Sequence, residues 1–195
     1  MARTYTLKRR ADNQAQTRRR IVEATVDLHS TLGPARTTIS DVAERAGVQR
    51  HTVYSHFPTE RDLAFACSRL ALERDPLPDE QAWRRISDPE QRLRRALAEI
   101  YGWFARNCEL AARVLRDAEV DLLTRDIVQM RIGAPMEGFR RILSQGFPPS
   151  RKLQAALRLA LGFQTWRSLV KQGGLSRDAA VDLMVSAIRC AIDKR

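Results

Sequence analysis

The stretch TISDVAERAGVQRHTVYSHF, residues 38–57, constrains the chain more than any other. Thr38 followed three residues on by Asp41 is a capping pattern, and Ile39, Val42, Ala43 and Ala46 then recur at helical spacing. Gly47 stands where a helix closing on a left-handed residue needs no Cβ, and Val48 supplies an apolar plug. A second short helix over 49–55 places Val53 inward. Gln49, Arg50, His51, Thr52, Tyr54 and Ser55 are left facing out, all able to hydrogen-bond and none a carboxylate. Arginine can bridge guanine O6 and N7, glutamine can pair with adenine, and threonine and tyrosine hydroxyls can reach phosphate oxygens. An ordinary helical hairpin with a solvated face would mix acids into that surface. The pattern predicts a helix-turn-helix whose second helix meets a DNA groove.

At 195 residues the chain can form one large or two small domains, and 44% hydrophobic with 29% charged residues is the composition of a folded protein. No apolar run approaches the roughly 18–20 residues of a membrane span, and the N-terminus lacks a signal-peptide core, so the expectation is a cytoplasmic protein with no membrane partner. Cys67, Cys108 and Cys190 are far apart and without CxxC spacing, which argues against a disulfide framework or a zinc site and leaves buried thiols or redox sensing. No metal or other cofactor is expected. The net charge of +11 points toward nucleic acid. It is sharpest over residues 1–20, where seven Lys and Arg face the single carboxylate of Asp12. Such a basic arm, assigned to 1–16, can follow a phosphate backbone or enter a minor groove, and it equally suits a solubilising terminus.

From Thr17 the pattern turns helical, with Ile21, Ala24, Leu28 and Leu32 on one face and Gly33-Pro34 as its end. Thr59 and Asp62 repeat the capping pattern and open a helix over 59–74 carrying Leu63, Ala66, Cys67 and Leu70. The proline-dense run 75–79 marks a boundary, giving a DNA-binding domain over 17–76 and a second domain over 77–195.

Residues 17–67 resemble the DNA-binding domain of the TetR family of bacterial transcription regulators. The likeness is carried by Arg20-Ile21, Thr37-Thr38 before Ile39, Asp41-Val42-Ala43, Ala46-Gly47-Val48, Thr52-Val53-Tyr54, His56-Phe57-Pro58 and Leu63. It implies phosphate contacts from Thr38, Thr52 and Tyr54, and presentation of Ser40, Gln49, Arg50 and His51 to bases. Where such proteins carry a lysine at the start of the fourth helix, this chain has Glu60, so Arg61 is expected to supply the cation.

The second half shows no period-two alternation and reads as helix throughout. A proline-led helix follows Asp88, a shorter one covers 109–120, and a long one covers 121–143 with Gly133 and Pro135 bending it. Helices over 150–171 and from Ser176 onward each carry two apolar stripes. The fold class is therefore all-α, an N-terminal three-helix helix-turn-helix domain plus a C-terminal helical ligand-binding and dimerisation domain, about nine helices in all. A terminal hairpin apolar on most sides needs a cover, and a homodimer through Leu153, Leu157, Leu161, Leu183, Met184 and Ile188 supplies it. Tyr101, Phe104, Cys108, Met130, Phe163 and Trp166 are the candidates for the pocket of a small apolar effector, and the same six also suit an ordinary core. The resemblance implies that such an effector changes the separation of two recognition helices. With no HExxH, GxSxG, P-loop or GxGxxG, nothing points to an enzyme. The expected function is a sequence-specific transcriptional regulator, a repressor released from an inverted repeat of double-stranded DNA by that effector. The alternative is an effector-independent or architectural DNA-binding protein.

Overall fold

Twelve α-helical segments and no strand make up the described residues, 2–193, of a computed structural model, with side chains described over 9–192. They are α1 (Ala2–Thr31), α2 (Ile39–Ala46), α3 (Arg50–His56), α4 (Glu60–Arg74), α5 (Glu80–Arg84), α6 (Pro89–Arg106), α7 (Cys108–Asp117), α8 (Leu122–Val128), α9 (Ala134–Leu143), α10 (Arg151–Ala160), α11 (Phe163–Trp166) and α12 (Arg177–Asp193). The number exceeds the expected nine because two long stretches are interrupted and the short α5 forms between the proline-dense run and Asp88. The stretch expected as one bent helix over 121–143 is broken by a π-helical turn at Gln129–Gly133. The one over 150–171 stops at Gly162, whose extended backbone restarts the chain as α11 before a second π-helical turn at Arg167–Gln172.

The first helix begins fifteen residues before its expected start at Thr17. No glycine or proline interrupts residues 2–32, and Ala, Arg, Lys and Gln dominate the early part, so α1 runs without a break from Ala2 and residues 2–16 of the expected arm form its first half. No helix among the described residues is long and apolar enough to cross a membrane.

The chain divides into two units. One holds the residues up to Pro76 together with Glu109–Gln129; the other holds Leu77–Cys108 and the residues from Met130 on. The first change of unit falls inside the proline-dense run, but the return of α7 and α8 to the first unit has no counterpart in the sequence pattern. In this unit α1 packs on α2 and α4, α2 on α3, and α4 on α8. Ile21, Val42, Ala43, Val53, Phe57 and Leu63 form its centre. Two helices of eight and seven residues cannot enclose a core unaided, and α1 closes it.

In the second unit α6 is capped by Asp88, which accepts from Glu90 N and Gln91 N, with Pro89 in the first turn. Its Leu93, Leu97, Ile100, Tyr101 and Phe104 are buried along one side, against α12 and α11. Tyr101, Phe104, Phe163 and Trp166 meet as one aromatic cluster with ring centroids 5.4–6.4 Å apart, and the Tyr101 hydroxyl donates to Ala160 O at 2.9 Å. Two of the six pocket candidates stand apart from it: Met130 is half exposed on the π-helical turn, and Cys108 is half-buried at the start of α7. An open hollow of about 880 Å³ runs along α10 past Ser150, Gln154, Ala155, Arg158, Leu159 and Thr165, and none of the six lines it.

The interface candidates also need correction. Leu153, Leu157, Leu161, Met184 and Ile188 are buried inside their own unit, where α10 packs on α12, and of the six only Leu183 is exposed. Each helix offers two apolar stripes, and the intramolecular contact took the stripe first assigned to the partner. Leu159, at 58% exposure, and Leu183, at 47%, are left on the outside.

Candidate nucleic-acid interface

Local chemistry sets α2 and α3 in place. Thr38 has extended backbone, its Oγ1 accepts from Asp41 N at 3.2 Å, and Asp41 Oδ2 accepts from Thr38 N and Thr38 Oγ1, each at 2.8 Å. The Thr38 backbone N–H and then its hydroxyl hold the Asp41 carboxyl below its usual range. Gly47 ends α2 at φ 63°, ψ 44°, and Val48 N donates back to Ala43 O at 2.9 Å. This left-handed closure turns the chain into Gln49, the residue preceding α3.

Across α3 the sequence-derived surface is present. Gln49, Arg50, His51 and Tyr54 are exposed, Thr52 is half-buried and Val53 is fully buried. The Gln49 side chain makes no capping bond, so its amide is free for a base edge. Ser40, in the first turn of α2, is exposed as well. Thr38 differs from the expectation in one respect: its hydroxyl proton is engaged by Asp41, so donation to a phosphate requires giving up that bond.

Arg61 is a second departure. Its guanidinium lies 3.6 Å from Asp126 Oδ2 on α8 and sits over the Phe65 ring at 5.2 Å from the centroid. The expected substitute cation is therefore turned onto a carboxylate of its own unit, while Glu60 stands exposed in the first turn of α4 beside the reciprocal Thr59–Asp62 cap.

Two groups of supporting residues carry no local signal. Arg20 Nη2 donates to Ala46 O and to Gly47 O, the latter at 3.2 Å, and the Arg18 guanidinium lies 4.5 Å over the Phe57 ring. Two arginines of α1 thus brace the turn before α3 and the residue after it. At the far end of α1 the C-terminus of α7 takes hold: Arg113 Nε donates to Thr31 O at 2.7 Å and Arg116 Nη2 to Leu32 O at 3.0 Å. Asp117 accepts from Ala35 N at 3.0 Å and from Arg116 Nε at 2.7 Å. Gly33 has φ 99°, and a Cβ there would lie 2.3 Å from Asp117 Oδ2, so only glycine allows this approach. Burial would raise the Asp117 carboxyl, but the Arg116 and Ala35 hydrogen bonds and the charges of Arg116 and Arg36 outweigh it and hold the group below its usual range.

Beside this clasp His29 Nδ1 lies 3.4 Å from Cys67 Sγ. Burial pushes the thiol up to about 12 and the imidazole down to about 4, the latter against a raising influence from Asp117. The pair is a protonated thiol within hydrogen-bond distance of a neutral ring, without the thiolate that reactive cysteines use. Of the three cysteines only Cys67 is buried; Cys108 is half-buried and Cys190 exposed.

Residues 21–67 match the family model described as bacterial regulatory proteins, tetR family. Over 59 residues the chain is 44% identical to the HTH-type transcriptional regulator TtgR of Pseudomonas putida, a match covering 30% of this chain and 28% of that regulator. The chain thus aligns with less than a third of that curated relative's length. The fold is similar to a TetR-like transcriptional regulator from Rhodococcus sp. RHA1, at TM-score 0.64 and 20% identity over 92% of this chain and 97% of that one. It is also similar to the TetR family regulator PfmR from Thermus thermophilus, at TM-score 0.61 and 20% identity over 89% and 94%.

Proposed function

We propose that the chain, whose residues 21–67 match the tetR family model, is a sequence-specific DNA-binding transcriptional regulator, a repressor that leaves its operator when a small apolar effector binds. The observation that carries the reading is the exposed face of α3. Gln49, Arg50, His51 and Tyr54 stand together on a helix braced at both ends, with no carboxylate among them. In the major groove Arg50 and Gln49 are placed to read base edges, and Tyr54 and Thr52 to contact phosphate.

A second copy of the chain is the proposed cover for Leu159 and Leu183, which lie among the exposed Ala155, Ala179 and Ala187 of α10 and α12. A two-fold dimer presents two α3 helices to successive major grooves, so the operator is an inverted repeat with half-sites about 34–36 Å apart or at a larger spacing. The aromatic cluster of Tyr101, Phe104, Phe163 and Trp166 is the proposed centre of effector response. An effector acts only through different affinity for DNA-competent and DNA-incompetent states.

Selection from a random DNA pool tests the reading. The wild-type chain is expected to enrich one inverted repeat, and Arg50→Ala to relax the preference at one position of each half-site. Uniform protection of DNA in footprinting at physiological salt would favour an architectural protein and overturn it.

A further inference from the structure

We propose that the exposed first half of α1 is a second DNA-binding element, a basic helix that lies along the phosphate backbone flanking the segment met by α3. The inference rests on the DNA-binding reading above and extends its contact surface. Over residues 9–20 every side chain is exposed except that of Thr17, which is half-buried, and from residue 9 on the first buried one is Ile21. This stretch carries five arginines against the single carboxylate of Asp12; Arg18 and Arg20 brace the turn and Phe57, and Arg19 pairs with Glu23 at 3.1 Å, which leaves Arg9 and Arg10 as the cations for phosphate, with Asn13, Gln14 and Gln16 as further hydrogen-bond donors. Within 9–20 the apolar residues are Ala11 and Ala15, and the earlier part of the helix adds only Tyr5 and Leu7 as larger apolar residues, too few to make a stripe for a partner helix or a lipid surface.

Position supplies the second part of the argument. Arg18 and Arg20 touch Phe57 and Gly47, on either side of α3, so the free part of α1 leaves the unit beside the recognition helix. At 1.5 Å per residue its fifteen residues before Thr17 extend about 22 Å, the length of roughly six base pairs. A helix about 10–12 Å across cannot enter a minor groove about 6 Å wide. That removes the minor-groove arm admitted by the sequence and leaves the phosphate backbone. Phosphates also offer the charge that an isolated helix of this length, marginal in water, lacks.

The test uses the full chain, its selected operator with and without flanking base pairs, and the variants Arg9→Gln/Arg10→Gln and Arg50→Ala. Affinity is measured across about 50–200 mM salt. The double variant is expected to keep the wild-type sequence preference and melting temperature, while its log K against log salt slope falls by about 1–2 per protomer on the flanked duplex and not on the trimmed one. An unchanged slope on the flanked duplex, with wild-type specificity intact and Arg50→Ala impaired, would overturn the proposal and leave the regulator reading standing; this is also the result if the helix serves an acidic protein. Absence of specific binding by the wild-type chain would remove both.

Discussion

Replacing Asp117 by alanine should loosen the first unit at the turn between α1 and α2, well away from any base contact. The side chain is 5% exposed and holds two hydrogen bonds, from Ala35 N at 3.0 Å and Arg116 Nε at 2.7 Å. The Arg116 side chain is 47% exposed, so water replaces much of what it loses and its bond is discounted. The bond from Ala35 N to a charged acceptor is the larger loss, at roughly 1.5–3 kcal/mol. A net destabilisation of about 2 kcal/mol corresponds to a fall of roughly 4–8 °C in melting temperature for a chain of this size. Asp117→Asn keeps an acceptor for Ala35 and loses the charge, so it should cost about half as much. Urea unfolding of the three proteins, with amide exchange at Ala35, measures the effect. An unchanged midpoint and unchanged Ala35 exchange in Asp117→Ala would show that the clasp contributes nothing. Because the folded Asp117 carboxyl is held low, its contribution is fully present above the unfolded value and is lost as pH falls through the folded one.

His29 gives a separate pH dependence: its folded value of about 4 lies below the ordinary 6.5, so the unfolded chain binds the extra proton and stability declines as pH falls from 6.5 toward 4. The decline should approach about 3 kcal/mol and be flattened in His29→Gln, as read from chemical denaturation at several pH values; equal slopes for both proteins would refute it. Gly47→Ala forces a Cβ into the left-handed region at φ 63° and should cost about 1–2 kcal/mol in thermal unfolding, whereas an unchanged melting temperature would mean that the turn relaxes freely. Glu60→Lys should tighten operator binding and steepen its salt dependence by about one unit of slope per protomer, since the nearby Arg61 is held by Asp126; an unchanged or weaker affinity would show that the start of α4 does not face phosphate.

By itself, the sequence determined what depends on neighbours within about four residues. The Thr38–Asp41 and Thr59–Asp62 caps, the Gly47 turn, the buried Val53 and the polar face of α3 all stand where the pattern placed them, because a cap or a left-handed closure is satisfied by residues already adjacent in the chain. Tertiary structure decided whatever required a choice among equivalent partners. Arg61 had neighbours of both signs and took Asp126 and Phe65, the former far away in the chain. Asp117 reached Ala35 across 82 residues, and no spacing rule encodes such a pair. In α10 and α12 two apolar stripes competed for one intramolecular contact, and periodicity reports that a face is apolar without reporting what covers it. The burial of Leu153, Leu157 and Met184, and the exposure of Leu159 and Leu183, were settled only when the two helices met.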